Sequence, residues 1–191
     1  FKRDISKWDV SSVTNMARMF AGASQFGRSL FFASHLSKWD VSSVTNMKGM
    51  FWDASLFNNH LSEWDVSRVT DMSHMFEGAA VFNRDISKWD VSNVADMSHM
   101  FSKAAYFNGD ISKWDVSNVN DMDSMFASAI AFKRKICGRA WVHSKARQNQ
   151  MFTDSPGSIC PVATAFLSKA KVKSALRDCF KLSPEGDCPK G

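Results

Sequence analysis

One unit of sequence is written repeatedly along this chain, and it constrains the fold more than any other feature. Residues 85–101 read DISKWDVSNVADMSHMF, and residues 110–126 read DISKWDVSNVNDMDSMF, a shift of 25. Phe1, Phe26, Phe57, Phe82, Phe107 and Phe132 open six copies. Trp8, Trp39, Trp64, Trp89 and Trp114 follow in five of them, and Trp141 marks a degraded sixth. The pairs Met16/Met19, Met47/Met50, Met72/Met75, Met97/Met100 and Met122/Met125 each precede a Phe. With Met151, which precedes Phe152 in the sixth copy, all 11 Met stand at two fixed positions. A unit this short cannot bury its own apolar face. It becomes stable only against copies of itself, which form one continuous core.

Each copy has two halves. In Ile86-x-x-Trp89-x-Val91 the apolar spacing matches a leucine-rich-repeat strand, with Trp89 and Val91 inward and Asp90 outward. Val94, Met97, Met100, Phe101 and Ala104 then fall at i, i+3, i+6, i+7 and i+10, the stripe of a short helix. Ser92 or Asn93 suits its N-cap, and Asp96 its first turn. The predicted fold is an α/β solenoid, leucine-rich-repeat-like, with one short strand and one short helix per 25-residue coil. A β-only solenoid is the alternative. The indole N–H, inside such a core, needs an acceptor, and a neighbouring Asp or Ser oxygen is the expected one.

Residues 1–132 make five repeat coils, with a six-residue insertion near 29–34. Residues 133–160 form the degenerate sixth coil, and 161–191 a C-terminal helix and Cys-containing tail. In that tail Val172, Ala175, Leu176, Cys179 and Phe180 share one helical face after a capping Ser168. Such a helix would shield the end of the core as a cap. Phe1 stands in register with the repeat, which predicts a processed form or a segment of a longer array. Charge is uneven. Residues 1–132 hold 12 Lys and Arg against 15 Asp and Glu, a net of −3, while 133–191 hold 12 against 4, a net of +8. The basic end reads first as a solvated helix face.

All four cysteines lie in the C-terminal third: Cys137, Cys160, Cys179 and Cys188. They allow three pairings, and disulfides imply an oxidising compartment. Cys137 with Cys160 would close the degraded repeat; Cys179 with Cys188 would pin the helix end. No C-x-x-C pair supports a zinc site.

Asp9, Asp40, Asp65, Asp90 and Asp115 form a ladder across the expected exposed sheet face. Stacked carboxylates repel, so each should accept hydrogen bonds from nearby N–H groups or pair with Lys. Calcium is a lesser reading, because no Gly-rich calcium turn is present. His74 and His99 occupy one position in adjacent copies and read as two exposed histidines, with no metal assigned. The insertion places Leu30, Phe31 and Phe32 in a loop, near the level of Trp52, the one Trp outside the motif. Together they make a candidate partner-binding patch. No nucleophile elbow, phosphate loop or H-E-x-x-H motif is present, so no catalytic residue and no cofactor is assigned.

The blocks WDVSSVTNM, WDVSRVTDM and MFEGAAVFNRDISKWDVSNV resemble the bacterial surface protein 26-residue repeat family. That family groups with BspA-like leucine-rich-repeat proteins and mycoplasma-type surface lipoproteins, and it also occurs in algae. The resemblance is strong over about residues 1–132 and weak over 133–160. It implies a non-enzymatic protein-interaction or structural module, extracellular or at the cell surface, with no catalytic residues to carry over. The alternative is a peripheral accessory subunit of a large, possibly membrane-bound plastid assembly, in an oxidising compartment such as a plastid lumen. The expected partner is a protein or a larger assembly; nucleic acid is not expected. No apolar run nears the roughly 18 residues of a transmembrane segment.

Overall fold

A computed structural model describes residue 5, residues 7–25 and residues 36–162. The chain divides into two units, Phe1–Cys160 and Pro161–Gly191. The insertion residues Leu30, Phe31 and Phe32, the expected C-terminal helix, Cys179 and Cys188 all lie outside the described residues.

The apolar stripe from Val94 to Ala104 is fully buried, but it is not a helix. Each copy is a succession of tight turns closed by i+3 to i hydrogen bonds. Trp89 N donates to Ile86 O (3.2 Å), Val94 to Val91 (3.0 Å), Met100 to Met97 (3.2 Å), Ala104 to Phe101 (3.0 Å) and Phe107 to Ala104 (3.1 Å). A β-turn brings its first and last residues together, so both side chains of each pair can point the same way. The spacing of three that predicts a helix is here the spacing of turns. Nor is Ile86–Val91 a strand; its first four residues are one of these turns.

The reason lies in where the remaining N–H groups go. An α-helix would send each to its own i−4 carbonyl. Here alternate groups leave the copy altogether. Met97, His99, Phe101 and Lys103 donate to the carbonyls of Asp121, Asp123, Met125 and Ala127 in the next copy, at 2.7–2.9 Å. The intervening N–H groups of Met100, Ser102 and Ala104 close turns, and Ser98 N donates to Asp96 Oδ1 (2.8 Å). Every N–H from Met97 to Ala104 is thus satisfied, as a buried backbone requires. Aligning alternate groups in one direction needs left-handed residues at regular intervals, and His99 (φ 57°) and Lys103 (φ 58°) are two of them. The same positions are left-handed in neighbouring copies: Arg18 and Gly22, Gly49 and Asp53, His74 and Gly78, Ser124 and Ser128. Parallel bridges join Asn15, Asn46, Asp71, Asp96, Asp121 and Arg147 in sequence, so one register runs through all six copies.

Aromatic columns run along the core. Phe20, Phe51, Phe76, Phe101, Phe126 and Phe152 stack at 5.4–5.6 Å between centroids. Phe57, Phe82, Phe107 and Phe132 form a second column at 5.8–6.0 Å. Within a copy the two columns touch, as in Phe101–Phe107 at 3.9 Å. Each buried ring contributes on the order of 2–3 kcal/mol gross, and each column makes that contact with neighbouring copies as well as within its own. The indole N–H groups do not use Asp or Ser oxygens. Trp39, Trp64, Trp89, Trp114 and Trp141 donate to the backbone carbonyls of Ile5, Leu36, Leu61, Ile86 and Ile111, at 2.8–3.1 Å. Each Trp therefore staples its copy to the one before.

In the sixth copy Ile136, Trp141 and Met151 are buried in line with these columns. Here β1 (Lys135–Ile136) pairs in parallel with β2 (Ser158–Ile159), and α1 (Arg139–Val142) is one short helical turn. A disulfide joins Cys137 to Cys160, with Cα atoms 4.8 Å apart.

Candidate interaction face

The Asp9, Asp40, Asp65, Asp90 and Asp115 column is exposed, and it sits at the Val-to-Val turn corner instead of on a sheet. Each carboxylate accepts the backbone N–H of the Ser two residues on, at 3.0–3.1 Å. The Ser hydroxyl adds a second bond in the copies of Asp9, Asp40 and Asp115. These bonds hold Asp9, Asp40, Asp65 and Asp115 below the ordinary carboxylate range, led by the Ser hydroxyl. Neighbouring carboxylates act the other way on Asp40 and Asp65, and they lose. The column is occupied in shaping the turn.

A second polar column went unread in the sequence. Asn15, Asn46, Asp71, Asp96 and Asp121 each turn Oδ1 onto the N–H two residues ahead, at 2.8–2.9 Å. Oδ1 thus accepts the one N–H that neither a turn nor the next copy takes up. In the sixth copy the column ends on Arg147, which pairs with Asp121 and lies 3.7 Å from Asp123.

The face formed by the Met-x-x-Met-Phe ladder is different. Its inward residues repeat, but its outward ones do not. One left-handed column reads Arg18, Gly49, His74, His99, Ser124. The column three residues on reads Ala21, Trp52, Glu77, Ser102, Ala127, of which Ser102 is buried. Trp52 is 36% exposed, and the Arg18 guanidinium lies 5.3 Å from its ring centroid, within cation–π range. Beside them is a cavity of about 190 Å³ lined by Arg18, Lys48, Gly49, Trp52, His74 and Glu77. Gly49 opens it: a Cβ there would meet Arg18 Cγ at 3.4 Å and Trp52 Cβ at 3.6 Å, in a left-handed conformation (φ 57°).

On the same face the register brings His74 and His99 into parallel stacking, with centroids 4.7 Å apart and planes 6° from parallel. Glu77 Oε2 lies 2.5 Å from His74 Nδ1. One ligand-capable atom from each of the three residues falls within 4.8 Å of the others. The two histidines are half-buried neighbours instead of two isolated surface residues. The missing signal was Glu77, three residues after His74, which the turn brings onto it.

On the loop-back edge a polar groove of about 440 Å³ includes Arg84, Asp85, Asp110 and Arg134. Two of its donors hold the backbone of neighbouring copies: Arg84 Nε donates to Asn58 O (2.8 Å) and Arg134 Nε to Asn108 O (3.0 Å). Among the partner-patch candidates, Trp52 alone can be placed.

No helix among the described residues is long and apolar enough to cross a membrane. No curated protein and no solved structure matches the chain. A family model described as "Mycoplasma protein of unknown function, DUF285" matches residues 1–66 and 55–158. With those two stretches spanning most of its length and joining within the third copy, the chain belongs to the DUF285 family.

Proposed function

We propose that this chain is a non-enzymatic interaction module, a turn-built solenoid that presents its ladder face to a protein partner at the cell surface or in secreted form. One observation carries the reading: the outward residues of the ladder face change from copy to copy, while the core and the Asp-Ser corner do not. On this face the changing positions surround an exposed aromatic ring and a cavity. Trp52 is the natural anchor, being a large exposed ring held by Arg18 beside a cavity. The Cys137–Cys160 disulfide supports an oxidising compartment.

The test is affinity capture from native extract under non-reducing conditions, comparing the unaltered chain with Trp52→Ser and Asp65→Asn. Trp52→Ser should lose the captured partner at unchanged thermal midpoint; Asp65→Asn should keep it. Equal capture by both variants would remove the ladder face from consideration. Stoichiometric recovery with one large complex would favour the accessory-subunit alternative.

A further inference from the structure

We propose that His74, His99 and Glu77 form a binding site for a divalent transition-metal ion of the zinc class. The donor set is two imidazoles and one carboxylate, the combination that holds zinc while leaving a coordination position open. Each ligand stands on backbone tied into the ladder. His74 N donates to Ser98 O (2.9 Å), His99 N to Asp123 O (2.9 Å), and Glu77 N to His74 O (3.2 Å). The Glu77 side chain is only 14% exposed and faces His74 at 2.5 Å. An ion would take the place of the proton shared in that contact. Ligand atoms around a tetrahedral zinc lie about 3.3 Å apart. The three donors, now within 4.8 Å, would need only side-chain rotation to reach that spacing. Parallel stacked rings cannot both aim a nitrogen lone pair at one point, so at least one imidazole must turn about its Cβ–Cγ bond. Both rings are partly exposed and have room to do so. The site is absent from the equivalent positions of other copies, which hold Arg18, Gly49 and Ser124. Arg18 and Lys48 line the cavity adjoining His74 and Glu77, while the Asp123 carboxylate lies on the His99 side.

The site stands independently of the partner-binding reading. It is tested on the full chain, with the disulfide intact and any free thiols alkylated, by titration with Zn²⁺ and with Co²⁺. Left-handed positions strain Ala but tolerate Asn, so the variants are His74→Asn, His99→Asn and Glu77→Gln, with His60→Asn as control. The expected result is one saturable equivalent per chain, weakened at least about tenfold by each of the three variants and unchanged by the control. Co²⁺ should broaden the imidazole proton resonances of His74 and His99 first. Zn²⁺ should raise the thermal midpoint of the unaltered chain and leave that of His99→Asn unmoved. Absence of saturable binding, equal binding by the variants, or broadening of His60 or His143 in their place would overturn the site. Should either His variant lose its fold by circular dichroism, Glu77→Gln and the resonance assignment decide.

Discussion

Trp8 and Trp89 stand in the same phrase of the same repeat, yet Trp8 is 47% exposed and Trp89 is 4% exposed. Met19 and Met100 repeat the contrast at 36% and 0%. Local sequence does not account for this, since both copies read I-S-K-W-D-V-S. Trp89 has Trp114 stacked at 6.5 Å on one side and the Leu61 carbonyl on the other. Trp8, among the described residues, has the Trp39 ring at 6.2 Å and no acceptor for its N–H. Stability in this chain therefore belongs to the contact between copies, not to the copy. Trp89→Ala should cost about 3–5 kcal/mol, the range of large core truncations. Trp8→Ala should cost under about 1.5 kcal/mol. Urea unfolding of both variants measures the gap, and equal costs would contradict a nearest-neighbour account.

The far end sharpens the comparison, because its last described copy carries a covalent tie. The disulfide closes the stretch from Cys137 to Cys160, a separation of 23 residues. A loop of that length stabilises by about 3 kcal/mol through the unfolded chain. Reduction, or the double variant Cys137→Ser with Cys160→Ser, should lower the thermal midpoint. It should also bring protection from amide exchange at Phe126 and Ser128, which donate to the sixth copy, down toward that of Phe20. Exchange at Phe101, in the middle, should change least.

A smaller effect tests whether copies differ in backbone strain. Gly78 and Lys103 occupy the same left-handed position, at φ 69° and φ 58°. Lys103→Gly relieves that strain and should stabilise by about 0.5–1 kcal/mol. Gly78→Ala introduces it and should cost about 1 kcal/mol or somewhat more, since the new Cβ would also lie 2.1 Å from Asp53 Oδ1 unless that side chain moves. Differential scanning calorimetry of the two variants should show midpoints moving in opposite directions.

Which residues are inside was readable in the sequence, because burial follows the period: Val94, Met97, Met100, Phe101 and Ala104 are all buried. How the backbone gets them there was not, because i+3 spacing is shared by helices and chains of turns. The discriminating feature is positive φ, and only Gly22, Gly49 and Gly78 announce it. Arg18, His74 and Lys103 adopt the same conformation without any mark in their identity. The candidate site was half visible. A period of 25 aligns His74 with His99, and the i+3 spacing that joins Glu77 to His74 went unused beside it. The indole partner was missed because a backbone carbonyl in the preceding copy leaves no trace in composition.

The smallest predicted effect separates the corner of each copy from its core. Asp65 is held below its ordinary value by the Ser67 hydroxyl and then by the Ser67 N–H. A carboxylate lowered in this way binds its proton more weakly in the folded chain than in the unfolded one. Its contribution is therefore complete above the unfolded value, about 3.9, and disappears as pH falls through the lower folded value. Asp9, Asp40 and Asp115 carry the same sign from the same kind of bond. Replacing Ser11, Ser42, Ser67 and Ser117 together with Ala removes the leading cause and leaves the backbone bond. The thermal midpoint of the quadruple variant should fall less between pH 5 and pH 3 than that of the unaltered chain, while above pH 5 the two curves run parallel. The Trp and Phe columns are unaltered in this variant, so its urea dependence should keep the slope of the unaltered chain. A changed slope would mean that the corners govern how much surface the stack buries, and the division between an interchangeable corner and a cooperative core would fail.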